Sequence, residues 1–283
     1  MEASVIRIVL VATLLFCAHV YANEPANIRL EFRKQTREGN HWKTLVAKED
    51  VLVAKTAIVV VDMWDKHHCR TAMSEQAKLI EPMNKMLAAA RNVGIQVVFA
   101  PAEVVEFYRS YPQRKAMLAI PKHRIPDRPA LDMPEAPHSG WSYCMCSEDR
   151  PCKKHYADWL KHKQQRQHPD LVIADQDLIA NCDTTNEVYN LCAERSITTL
   201  LYCGIHTNMC VIGRKAGMRA LTRAGVRCAI IRDMTEAFHG LPYDPELTPQ
   251  QVTAEVVEYI ERYIGPSIGS SQISKAVEER AKQ

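Results

Sequence analysis

The sequence predicts an α/β protein built on a doubly wound parallel sheet with helices on both faces. Three observations predict it. Runs such as Ala57 to Val61 are continuously apolar and β-branched, as strands covered on both faces are. Segments with apolar residues at three- and four-residue spacing separate these runs. The two kinds of segment alternate along the chain, the order that produces parallel strands joined by helical crossovers.

The elements follow in order. Residues 23–54 are mixed and polar, with one strand near Ile28 to Phe32, and read as an N-terminal extension laid over the main domain of 55–266. After the strand ending at Val61, Ser74 can cap a helix from about Glu75 to Asn92 with Leu79, Met83, Met86, Leu87 and Ala90 on one face. Gly94 closes that helix, and Ile95 to Ala100 is the next strand. Residues from about 112 to 168 break the rhythm with prolines and the cluster Cys144, Cys146 and Cys152. An excursion of this length is a binding loop, a lid or a stapled segment. Regularity returns with a short strand over Leu171 to Ala174 and a helix over Thr185 to Glu194. A strand over Thr198 to Cys203, a helix over Asn208 to Ala224 and a strand over Val226 to Ile231 come next. Thr248-Pro-Gln-Gln251 is a capping box with proline at the first helical position, and its helix runs to Ile264. The tail, 267–283, is charged.

Bulk properties narrow the function. The formal charge of +3 over 283 residues, with no block of one sign, points away from nucleic acid. Arg7, the apolar run Ile8 to Ala18 and the small residues around Ala22 have the layout of a cleaved secretory leader, residues 1–22. That predicts a secreted or periplasmic protein with no membrane segment in its mature form. Ten cysteines less Cys17 of the leader leave nine. In an oxidising compartment pairing then leaves at least one thiol, and the loop cluster Cys144, Cys146 and Cys152 is disulfide material.

The candidate for the free thiol is Cys210, in Tyr202-Cys-Gly-Ile-His-Thr-Asn-Met-Cys-Val211. It lies on a strand-to-helix turn, where unpaired backbone N–H groups and the helix dipole favour thiolate. A small buried core cysteine fits the position equally well. Asp62 follows the strand Val59-Val-Val61, so an acid and a thiol stand at strand ends, where ligands bind in such folds. A turn-capping carboxylate is the plain alternative for Asp62.

Val59-Val-Val-Asp62-Met-Trp64 and Gly204-Ile-His-Thr-Asn-Met-Cys210-Val resemble the two signature segments of the isochorismatase-like cysteine hydrolases, over roughly Thr56 to Pro266. The resemblance implies a six-stranded parallel sheet and an Asp–Lys–Cys triad in which Asp62 is the acid and Cys210 the nucleophile. It also implies a cis peptide at Ile205–His206 and an oxyanion hole made by the amides of His206 and Cys210. Dimers or tetramers are implied as well. The lysine does not carry over: Asp175, Gln176 or Asp177 stands there, with Gln176 as the lysine-equivalent position. Lys66, His67, His206 and Lys122 are candidates for the missing cation.

The reading is therefore a cysteine hydrolase of a small amide or related substrate, with no cofactor and no metal. Trp64, His67, Tyr108, Arg109, Thr207 and Asn208 are the expected pocket residues. Two rivals stand beside it: an inactive exported binding protein of the same fold, favoured by the missing lysine, and a metal-dependent hydrolase using Asp65, His67 and His68.

Overall fold

A computed structural model describes residues 26–139, 143–144, 157–241 and 246–280. The expected leader, residues 1–22, and most of the cysteine cluster lie outside these residues. Among the described residues, no helix is long and apolar enough to cross a membrane.

The strands are β1 (Asn27–Glu38), β2 (His41–Leu52), β3 (Thr56–Val61), β4 (Gln96–Ala100), β5 (Tyr143–Cys144), β6 (Leu178–Ile179), β7 (Thr199–Ile205), β8 (Arg227–Glu236), β9 (Gly240–Leu241) and β10 (Ser267–Ile268). The helices are α1 (Arg70–Val93), α2 (Pro112–Leu118), α3 (Asn186–Glu194), α4 (Met218–Arg223), α5 (Pro249–Tyr263) and α6 (Ser271–Arg280). The main sheet has eight strands in the order β2-β1-β10-β8-β7-β3-β4-β6. Six are parallel, from β10 through β6. The other two come from the supposed extension, which is a twelve-on-twelve antiparallel hairpin joined to β10 at Arg33. The expected count of six corrects to eight for that reason. Alternation in β1 seats Ile28, Leu30 and Phe32 in the core, whereas β2 leaves most of its length in solvent.

Period-two geometry divides β3 between two cores. Ala57, Val59 and Val61 pack with Val188 and Leu191 of α3, Leu221 of α4, and Val252, Val256 and Ile260 of α5. Ile58 and Val60 pack with Met83 and Leu87 of α1, Ile273 of α6, and the β1 residues. Helices therefore cover both faces, as the unbroken apolar strands require.

Three expected boundaries move. The third crossover strand is Leu178–Ile179, because 171–174 is occupied by loop. Cys69, not Ser74, precedes α1. The single helix expected over 208–224 is broken into a π turn, Thr207–Val211, and α4. The capping box forms as read, with Thr248 Oγ1 accepting from Gln251 N at 3.2 Å and Gln251 Oε1 accepting from Thr248 N at 2.8 Å.

Gly204, in β7, pairs with Val61 of β3 and has φ +108°. A Cβ there would stand 2.1 Å from the Val61 carbonyl oxygen. Gly204→Ala is expected to cost about 3–5 kcal/mol in chemical denaturation, since both the left-handed backbone and the strand contact oppose a side chain.

Candidate active site

β3 and β7 are adjacent and parallel, so their carboxyl ends put Asp62 and the 206–211 turn side by side. Asp62 is fully buried at φ 44°, in the left-handed region. Its Oδ1 accepts from Ala102 N at 2.5 Å, just beyond β4. Its Oδ2 accepts from Arg214 Nε at 3.2 Å. The Cys210 thiol is hydrogen-bonded to the same carboxylate. Asp62 is therefore the hub of the arrangement and not a turn cap.

Arg214 is the residue that sequence reasoning missed. Its Nη2 donates to Glu103 at 3.0 Å and its Nη1 to Asp183 at 3.3 Å, which fixes the guanidinium against both Asp62 and Cys210. Arg214 N bonds Cys210 O at 3.0 Å, so the cation lies one turn after Cys210. The available signal was that four-residue spacing, which places two side chains on one helical face. Gln176 does not reach the site. It is exposed, and its carbonyl accepts from Gln96 at the opposite, amino end of β4. Asp177 is also remote, held by Arg91 at 2.7 Å. The residues that follow this strand toward the site are 180–182, where Cys182 is close enough to feel Asp62, Cys210 and Arg214. Arg214 supplies the charge whose absence favoured an inactive scaffold.

Burial sets the protonation states. It raises Asp62 to about 6, against the opposing pull of Arg214 and the Ala102 amide. Burial, reinforced by the Asp62 charge, pushes the Cys210 thiol well up, and Arg214 and the His206 amide oppose this only in part. The expected resting thiolate is corrected to a resting thiol beside a carboxylate that can accept its proton. Burial works against the Arg214 charge, but Cys210 and Asp62 hold its pKa above the usual guanidinium range.

The Ile205–His206 peptide is cis, as the resemblance implied. The His206 amide donates to Cys210 Sγ. The expected pocket residues divide. Trp64, His67, His206, Asn208 and Cys210 line a cavity of about 440 Å³ with His68, Glu103, Trp159, Phe238 and Arg214. Asn208 bonds the backbone of Phe238 in both directions, at 3.0 and 2.8 Å, and so fixes that wall. Thr207 stays beneath it, its hydroxyl 2.7 Å from that of Thr235. Tyr108 and Arg109 do not reach the cavity wall. Burial raises Tyr108 to about 12, and its hydroxyl accepts from Gln167 N, while Arg109 is exposed beside Glu106.

The rival metal set of Asp65, His67 and His68 does not come together among the described residues. Asp65 accepts from the backbone of Gln165 and Arg166, and no group of three or more metal-type side chains converges among the described residues. The described cysteines Cys69, Cys182, Cys192, Cys203, Cys210 and Cys228 are all thiols. The expected loop disulfide falls largely outside the described residues.

No protein-family profile matches the chain, and neither does any curated protein. Solved structures do. A cysteine hydrolase from Pseudomonas syringae pv. phaseolicola 1448A aligns at 14% identity and TM-score 0.50, over 81% of this chain and 95% of its own. An isochorismatase from Pseudomonas putida KT2440 aligns at 10% identity and TM-score 0.46, over 78% and 91%. N-carbamoylsarcosine amidase from Thermoplasma acidophilum aligns at 15% identity and TM-score 0.42, over 76% and 96%. On this architecture the chain has the fold of the Pseudomonas syringae cysteine hydrolase.

Proposed function

We propose that the protein is a cysteine hydrolase that cleaves a small amide or related acyl compound, with Arg214 in place of the family's lysine. The observation that carries the reading is the buried contact of Asp62 with Cys210 and Arg214. Asp62 takes the thiol proton as Sγ attacks the substrate carbonyl. The His206 and Cys210 amides receive the developing oxyanion. Asp62 then protonates the leaving amine, and the acyl group remains on sulfur as a thioester until water removes it. Throughout, Arg214 balances the negative charge shared by sulfur and carboxylate. The cavity volume suits a small molecule, and Trp64 and Phe238 give it flat apolar walls. Residues 1–22 are inferred to export the chain before it acts.

The test is acylation by p-nitrophenyl acetate. It is expected to leave an acetyl group on the Cys210 peptide, detectable by mass spectrometry, and an unlabelled Cys210 would reject the reading. The acylation rate is expected to fall as pH drops through about 6, where Asp62 becomes protonated and can no longer accept. Above about 7 it levels off. A free thiolate would instead keep gaining rate toward its ordinary pKa of about 8.5.

A further inference from the structure

A second set of titratable side chains reaches the cavity that Cys210 lines, and the proposed acylation chemistry does not use them. Cys69 N donates to His67 Nδ1 at 3.1 Å. His67 Nε2 lies 3.3 Å from His206 Nε2, and His206 Nδ1 lies 2.9 Å from Glu236 Oε2. All three side chains are buried. These contacts fix the protons when both rings are neutral. His67 accepts at Nδ1, so its proton sits on Nε2 and points at His206. The ionised Glu236 accepts from Nδ1–H of His206, so the lone pair of His206 is on Nε2. The two rings thus present a donor and an acceptor facing each other at the wall of the cavity that holds Cys210.

A carboxylate behind one imidazole nitrogen and a lone pair on the other is the arrangement of a general base. A water molecule that enters between the two rings displaces their direct 3.3 Å contact, donating to His206 Nε2 while its oxygen accepts from His67 Nε2–H. We propose that His206, oriented by Glu236, is the base that activates the water which hydrolyses the thioester on Cys210, with His67 and Glu236 as positioning residues. This rests on the cysteine hydrolase reading and assigns its second half-reaction.

The step balances. Water gives one proton to His206 Nε2, and its oxygen bonds to the acyl carbon. The tetrahedral intermediate collapses, the C–S bond breaks, and the electron pair returns to sulfur. The proton on His206 then passes to Sγ, restoring the thiol, and the acid product leaves. Two acid–base systems therefore flank one sulfur: Asp62 with Arg214 for acylation, and His206 with Glu236 for deacylation. The cavity also explains the placement. His206 is anchored by its own strand end, and Glu236 ends β8 directly across from Ile205.

The experiment separates the two halves in the full chain, with p-nitrophenyl acetate as the probe. First-turnover release of p-nitrophenolate reads acylation, and loss of acetyl from Cys210 reads deacylation. Glu236→Gln, close in shape to the native side chain and outside the acylation site, is expected to acylate within about threefold of wild type and to deacylate about 10- to 100-fold more slowly. Hydroxylamine, a nucleophile that needs no base, is expected to restore acetyl release in this variant. Deacylation of Glu236→Gln within about threefold of wild type would overturn the proposal, as would an equal slowing of both steps or a failure of hydroxylamine to rescue. A wild-type protein that never acetylates Cys210 would instead sink the hydrolase reading, and this inference with it.

Discussion

Asp62→Asn is expected to lower kcat/KM by about 10³-fold or more, the scale on which a positioned base contributes. The amide cannot take the thiol proton. One of its two polar ends must also turn an N–H toward Arg214 Nε or Ala102 N, both of which already donate to this position. The same substitution has a stability signature of defined sign. The folded-state pKa of Asp62, about 6, lies above its ordinary value of 3.8. The stability associated with that shift is present below about pH 4 and is lost as pH rises through 6, roughly 3 kcal/mol in all at about 1.4 kcal/mol per unit. Wild-type stability should therefore carry a downward component between pH 4 and 7 that the asparagine variant lacks. Denaturant titrations of both proteins at several pH values would read the difference. A parallel pair of curves would show that the carboxylate is not held in a desolvated site.

Arg214→Met is expected to reduce kcat/KM at pH 7 by about 10²- to 10³-fold through electrostatics alone. Arg214 is the largest influence opposing the burial-driven rise of Asp62, so its loss lets that carboxyl rise further and stay protonated at neutral pH. The acid limb of the rate profile should then move up from about 6, with part of the activity recovered at pH 9. Cys210 also loses the cation that counters its own upward shift. Arg214→Lys keeps a charge but cannot span Asp62, Glu103 and Asp183 with one rigid fork, so an intermediate loss is expected. If Arg214→Met kept the wild-type pH profile, the guanidinium would be a scaffold contact only, and the charge arrangement described here would be wrong. Purified variants assayed across pH on one substrate would decide it.

The positions of Asp62 and Cys210 were legible because each depends on local chain features. A buried β-branched run ends at the acid, and a glycine turn leads into the thiol. The cation was not legible by the same route. The lysine-equivalent position fell at Gln176, which sits at the wrong end of the sheet, because the strand begins later than its apolar pattern suggested. Arg214 lay in plain sight four residues after Cys210, but within a segment read as one continuous helix. What no local pattern showed is that the turn closed by the Arg214 N to Cys210 O bond carries its guanidinium over Asp62, 152 positions away. Tyr108 and Arg109 show the opposite error. Their place after the second crossover strand suggested the pocket, yet burial claims one and solvent the other.

Sequence by itself determined the alternation of strands and helices, the two-sided burial of the sheet, the capped α5 and the pairing of an acid with a thiol. Each of these follows from residue periodicity, turn chemistry or a short motif, all properties of neighbours in the chain. Only the tertiary structure decided which cation meets the pair, that the 26–54 segment extends the sheet, and that His67, His206 and Glu236 stand in line. Those contacts join residues separated by 30 to 234 positions. At such separations the burial that shifts a pKa and the geometry that aims a proton come from packing, which no local pattern encodes.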